Sequence, residues 1–375
     1  AAVRDREVAS TRSASIWGKA ILLIGGITLL CCFGMLSYFG LLFYVVDRDV
    51  SLIPSPTLDP NCGENFCLNA CLRALPNFAR IDLPEHKNEL DQKAGGYVLA
   101  SYWVKQADGS LNKLSKPEVP SYLQPYQDDT ELHARIWKYA KQIFDAGDQA
   151  HISYITFYAD THVDRYAASV WVTSSGKWTL NVNLAEFGSA WDTSETIIHE
   201  HAHILTLDDS QVTGIGPWYD EEIDRKDFDA KSNVCGEQFF TGAECARDTS
   251  YINEFGKRFW HGQLYEDWVT VFLQGSETEE RSPALDEFYL KYQDQFVTAY
   301  AATNPSEDIA ESWSEFILFP KPAGDSVAQH KILFFYEYPE LVQLRGNILS
   351  TICQYAVAQT GTPTPQTPAV QLTPP

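Results

Sequence analysis

The stretch ETIIHEHAHILTL, residues 195 to 207, packs three of the chain's nine histidines into five positions. Read as a helix, His199 and His203 stand one turn apart and project from one face, with Glu200 one step round. This is the H-E-x-x-H arrangement, two imidazoles for one zinc ion and a carboxylate placed to take a proton from water held there. His201 lies about 100° from His199 on the helical wheel and is expected to pack or hydrogen-bond rather than bind metal. Asp192 is the expected N-cap of this helix, with Glu195 three residues on as its capping-box partner.

A catalytic zinc site needs a third protein ligand and an open position. After His203 the chain reads ILTLDD, without the glycine and third histidine of the longer H-E-x-x-H-x-x-G-x-x-H pattern, so a carboxylate is the expected third ligand. The segment NPSEDIAESWSEF, residues 304 to 316, offers Glu307 and Glu311 four apart on one helical face. One of them can ligate the metal while the other accepts the far ring N–H of a ligating histidine.

With H-E-x-x-H on one helix and E-x-x-x-E on a later one, the chain resembles the gluzincin metallopeptidases. The segment AYAATNPSEDIAESW, residues 299 to 313, is similar to the catalytic stretch of the anthrax toxin lethal factor and related peptidases, in which a tyrosine stands seven residues before the ligand glutamate. Two short blocks carry the match. The resemblance implies zinc ligands His199, His203 and Glu307, Glu200 as general base, Glu311 behind the ligands, and Tyr300 as donor to the oxyanion of the reaction. It also implies a zincin-like fold and an edge strand just upstream of the zinc helix, on which a peptide substrate lies as an added strand; KWTLNVNL, residues 177 to 184, is expected to fill that place.

Around these blocks the pattern is that of an α+β chain: a small mixed sheet and the active-site helix, then a helical C-terminal half. DDTELHARIWKYAKQIFDAGD has helical spacing, with acidic residues at its start and Gly147 near its end. HISYITFYAD, RYAASVWVTS and KWTLNVNLAEF are rich in β-branched and aromatic residues, and Ser175-Gly176 between the last two signals a hairpin. In the third strand Trp178, Leu180, Val182 and Leu184 alternate with Thr179, Asn181 and Asn183, which predicts one buried and one polar face. Residues 208 to 281 read as an acidic, aromatic, irregular insertion, whose carboxylates are expected to form a solvated surface because the run lacks a calcium-loop pattern. Four helices are expected after it, in SPALDEFYLKYQDQFVTAYAA, PSEDIAESWSEFILF, DSVAQHKILFFYEY and PELVQLRGNILSTICQYAVAQ, with Pro305 near the start of the second.

The ends of the chain speak to placement. Residues 20 to 46 carry no charge, and at about 1.5 Å per residue they exceed the ~30 Å hydrocarbon core, so a transmembrane helix is expected there. Arg4, Arg6, Arg12 and Lys19 precede it, which favours a cytoplasmic N-terminus. The expected order is a cytoplasmic segment (1–19), the membrane helix (20–46), a Pro-rich linker (47–61), an extracytoplasmic zinc peptidase domain (62–358) and a disordered Thr/Pro tail (359–375). Beyond the span lie Cys62, Cys67, Cys71, Cys235, Cys245 and Cys353, an even number that suits disulfides in an oxidising compartment. Three sit early and three late, so complete pairing within the chain requires a bridge between the groups. Cys235 with Cys245, and Cys353 with the early cluster, are the expected partners. The sole Asn-x-Ser, at Asn304, is blocked by Pro305, which favours a bacterial envelope.

A net charge of −22 argues against nucleic acid as a partner. The expected function is a membrane-anchored, extracytoplasmic zinc peptidase acting on a protein or peptide substrate, reaching the membrane through its N-terminal helix. The competing class is a zincin-like binding or adhesion module that has lost turnover; retention of Glu200, which such a module can drop, favours the enzyme.

Overall fold

The computed structural model describes residues 95–360 with short gaps at 106–107, 147–151, 162–166, 174–175, 215–223 and 275–282, together with residues 71, 75, 77–78, 81, 84–86 and 89–90. The expected membrane helix, the linker, Cys62, Cys67 and nearly all of the Thr/Pro tail lie outside the described residues. Among those described, no helix is long and apolar enough to cross a membrane.

The fold is α+β, built on a five-stranded sheet in the order β2-β1-β3-β5-β4. Its strands are β1 (Tyr97–Val104), β2 (Leu111–Ser115), β3 (Ile152–Ala159), β4 (Ala168–Val172) and β5 (Trp178–Asn183). β3 and β5 run parallel, with Phe157 opposite Val182, and every other neighbour is antiparallel. The β4–β5 hairpin turns through Gly176 at φ 70°, a conformation that favours glycine.

Two findings on β5 correct the sequence reading. It is not an edge strand: β3 and β4 flank it, and the edge next to the histidine helix is β4. Nor does it keep one polar face open, because Thr179, Asn181 and Asn183 are buried along with Leu180 and Val182. Burial there requires partners. Asn183 supplies them as a strut, its Oδ1 accepting from the Asp160 N–H at 3.1 Å and its Nδ2 donating to the Asp160 carbonyl at 2.9 Å.

Helix α1 (Thr130–Phe144) packs on the sheet through Leu132, Ile136, Tyr139, Ala140 and Ile143, the apolar stripe its spacing predicts. Asp129 caps it by accepting from the Leu132 N–H at 2.9 Å. His133 is fully buried, stacked on Phe157 of β3 at 4.2 Å and bonded through Nδ1 to the Tyr102 hydroxyl at 2.8 Å. Helix α2 (Ala190–Leu207) carries the histidines and lies against α1 and along β4. A buried hydrogen bond between Tyr139 and Ser194 ties α1 to α2.

The acidic stretch is not irregular. It contains β6 (Val212–Gly214), α3 (Arg225–Val234), β7 (Glu244–Ala246), α4 (Tyr251–Phe259) and α5 (Gly262–Phe272), with β6 and β7 pairing as a separate ribbon. Its aromatics explain the order. Phe228, Phe240, Trp268 and Phe272 meet at centroid distances of 5.1 to 6.3 Å, a local core beneath the charged exterior. Arg225, Asp229 and Glu266 pair on that exterior.

The C-terminal half follows as α6 (Pro283–Tyr292), α7 (Pro305–Leu318), α8 (Val327–Phe334) and α9 (Pro339–Thr360). The last helix therefore runs two residues into the expected tail. Two disulfides close the described structure. Cys71–Cys353 fastens the early segment to α9, and Cys235–Cys245 joins the end of α3 to β7. Cys235–Cys245 is the pairing expected from the sequence, and Cys71 is the member of the early cluster that pairs with Cys353; both suit an oxidising compartment.

Candidate metal centre

Helix α2 starts one turn earlier than expected from Asp192. Ser189 is its N-cap, and the Asp192 N–H donates to the Ser189 hydroxyl at 3.0 Å, so Asp192 sits in the first turn and Glu195 is not a box partner. From there α2 is buried on nearly every side, with Ile197, Ile198, Ala202, Ile204 and Leu205 filling the core.

Its partner is α7. Asn304 caps this helix, its Oδ1 accepting from the N–H groups of Ser306 and Glu307 at 2.9 and 3.0 Å, and Pro305 occupies the first turn where no N–H is needed. At the other end the Arg345 guanidinium of α9 donates to the Phe316 and Phe319 carbonyls, satisfying carbonyls the helix leaves open. Side chains Ile309, Trp313 and Phe316 then lock α7 into the core.

The crossing of α2 and α7 brings the expected ligands together. His199 Nε2 and His203 Nε2 lie 3.1 Å apart, and Glu307 Oε2 is 2.9 Å from the first and 3.3 Å from the second. These three side chains form a group able to hold a metal ion. They are only 10 to 17% exposed. Glu311 takes the other side of His199, accepting from Nδ1 at 2.8 Å. Between the two carboxylates that the sequence left open, Glu307 is therefore the one at the convergent nitrogens and Glu311 the one behind.

Thr298, which no motif marked, extends this line by donating its hydroxyl to Glu311 Oε2 at 2.7 Å. The chain Thr298–Glu311–His199 holds the imidazole in its orientation. His203 lacks such support, for its Nδ1 is buried with no hydrogen-bond partner among the described residues. Tyr300 lies in a short 3-10 turn with its ring 5.7 Å from that of His199, so the structure sets it beside the group.

Electrostatics follow from burial and pairing. Burial lowers the pKa of His199, but hydrogen bonds to Glu307 and Glu311 outweigh it and hold the pKa well above the usual imidazole range. Burial works the other way on Glu307, yet the neighbouring imidazoles keep it well below the usual carboxylate range. Glu200 is buried at 5% exposure, and burial raises its pKa while the two imidazoles and the backbone N–H of Val170 on β4 favour its charged form. His201 packs, as expected: its ring stacks on Trp313 of α7 at 5.8 Å, and burial alone pushes its pKa down to about 4. Farther along the α2–α7 seam, burial together with Glu195 and Glu311 pushes Glu315 up to about 7.

Compared with protein-family models, with curated proteins and with solved structures, the chain finds no match in any of the three.

Proposed function

We propose that the protein is a zinc-dependent peptidase of the gluzincin type, with His199, His203 and Glu307 as the metal ligands. The observation that carries this reading is the convergence of two Nε2 atoms and one carboxylate oxygen, with Glu311 holding the remaining nitrogen of His199. Two imidazoles and a carboxylate are a zinc-type donor set, and tetrahedral bonds of ~2.0–2.1 Å separate ligand atoms by roughly 3.3 Å, close to the separations found.

When bound, zinc supplies a Lewis acid that lets water act as a nucleophile near neutral pH. Glu200 accepts the proton of the attacking water on its carboxylate and returns it to the leaving amine; its burial, which raises its proton affinity, suits that exchange. Tyr300 donates to the oxyanion of the scissile carbonyl. Glu311 and Thr298 orient His199 throughout. The peptide lies extended on β4, whose outer edge has no neighbouring strand among the described residues and whose Val170 N–H faces Glu200. The disulfides support action outside the cytoplasm, with residues 20 to 46 as the proposed membrane anchor.

Metal analysis and turnover of a mixed peptide library by the purified chain test this. Glu200→Gln should keep about one zinc per chain and lose at least ~10²-fold in kcat/KM. His199→Ala, His203→Ala and Glu307→Ala should each lose the metal. A wild-type chain that binds zinc but cleaves nothing would leave the non-catalytic binding module as the better reading.

A further inference from the structure

Behind α2, on the side away from Glu307, lies a cavity of about 540 Å³ bounded by α2, the start of α4 and the start of α9. Its size falls in the range of small-molecule sites. The inner wall is apolar, with Ile204 and Leu205 of α2 and Leu341 of α9, and His201 completes it. Although buried, His201 makes no hydrogen bond through Nδ1, so its polar capacity is unspent at the deep end. The mouth holds Tyr251, Tyr338 and the exposed Glu340.

We propose that this cavity binds a small apolar amine, with its ammonium group at Glu340 and its hydrocarbon body against the α2–α9 wall. Among the described residues, Glu340 is the only formally charged one in the lining, and no lysine or arginine joins it. One carboxylate oxygen accepts the Tyr251 hydroxyl at 3.0 Å, which fixes the carboxylate and leaves the second oxygen for a ligand. The rings of Tyr251 and Tyr338 meet at 90° with centroids 5.0 Å apart, so aromatic surface flanks the acid in two directions. A carboxylate beside tyrosine rings attracts an ammonium group through both the charge and the ring quadrupoles. An anion meets the opposite, since the chain as a whole carries −22. A neutral alcohol of the same shape gains the apolar wall but not the ion pair. None of this depends on the metal reading, because the lining excludes every proposed ligand.

Calorimetric titration of the full chain with 2-phenylethylamine, 2-phenylethanol and 3-phenylpropanoate tests the proposal. The amine should bind at least ~10-fold more tightly than the alcohol, and the propanoate should not bind. Glu340→Gln, on the exposed rim, should remove the amine's advantage by a similar ~10-fold while leaving zinc content and unfolding temperature unchanged. Leu344→Trp, which fills the cavity, should abolish binding of both amine and alcohol. Equal binding of amine and alcohol, unchanged affinity in Glu340→Gln, or no heat with the amine at millimolar concentration would each overturn it.

Discussion

Lys331→Met is expected to destabilise the fold more than any surface change, because it takes from the fully buried Asp308 carboxyl, next to the proposed metal ligand, its only paired cation among the described residues. Lys331 of α8 and Asp308 of α7 are both fully buried, with Nζ and Oδ2 2.6 Å apart. Asp308 has one further partner on that oxygen, the Trp260 indole N–H at 2.7 Å, while its Oδ1 has no hydrogen-bond partner among the described residues. Removing one member of a buried ion pair costs about 3–5 kcal/mol, and the retained indole bond argues for the lower half of that range. Methionine fills the space beside Phe296, whose ring centroid lies 4.1 Å from the ammonium, so no large cavity adds to the cost. The expected loss is about 3–4 kcal/mol, a large part of a typical 5–15 kcal/mol domain stability. Replacing both, Lys331→Met with Asp308→Asn, keeps an acceptor for Trp260 and leaves no uncompensated charge. The double variant should therefore recover about 2 kcal/mol relative to the sum of the singles. Urea unfolding followed by tryptophan fluorescence measures all four proteins. A Lys331→Met loss below about 1 kcal/mol, or additive singles, would show that the pair does not hold α7 in place.

Other expectations concern protons, cross-links and ligand orientation. Burial, and secondarily Asp209, lifts Glu244 to about 7 from its ordinary 4.5. A carboxyl with a raised folded pKa contributes stability that is complete below pH 4.5 and lost as pH rises through about 7, so Glu244→Gln should match wild type at pH 4 and exceed it at pH 8. Allowing for its partial exposure, the gain at pH 8 is about 1–2 kcal/mol; a difference that does not change with pH would refute the assignment. Cys71–Cys353 spans 282 residues and Cys235–Cys245 spans 10, so loop-closure entropy assigns the first about 5.6 and the second about 2.7 kcal/mol. Serine pairs at each bridge, compared by urea midpoint, check that order. Thr298→Val should free Glu311 and weaken metal affinity about 10-fold by competition with a chelator, without emptying the site; unchanged affinity would remove Thr298 from the support of His199.

What the sequence disclosed, and what it hid, follows from the range of the signals. Helical period places residues four apart on one face, so the pairing of His199 with His203 and of Glu307 with Glu311 was legible from spacing alone. The meeting of α2 with α7 was not, since no local pattern encodes which helices cross; it entered only through resemblance. Alternation along β5 predicts one buried and one polar face, yet the strand is central and Asn183 is buried with two hydrogen bonds to Asp160. β1 and β2 emerge only in the structure. In the acidic stretch, charge concealed a helical repeat: Ile252, Phe255 and Phe259 of α4 are buried at three- and four-residue spacing among exposed Glu254, Lys257 and Arg258. Thr298 carries no motif and acts through one hydroxyl, so nothing short of coordinates could mark it.

The composition of the α2–α7 seam fits the proposed peptidase reading, in which its polar groups serve chemistry rather than stability. Glu200, Glu307 and Glu311 crowd round two imidazoles in a region whose other walls are Ile197, Ile198, Ile309 and Ala310, all fully buried. Filling such a seam with hydrophobic residues of similar volume is generally neutral or stabilising, because ion pairs regain little beyond what their desolvation costs. The arrangement also places more carboxylates than imidazoles in a shared low-dielectric space. A divalent cation at the two Nε2 atoms and Glu307 would offset that excess without disturbing Glu311, whose carboxylate is already turned to the far side of His199. Glu200 makes no ion pair with either histidine among the described residues, and it is the one carboxylate of the three that faces β4. A seam built only to hold two helices together has no use for that third acid, whereas a hydrolytic site needs a base that stands beside the metal and outside its ligand set.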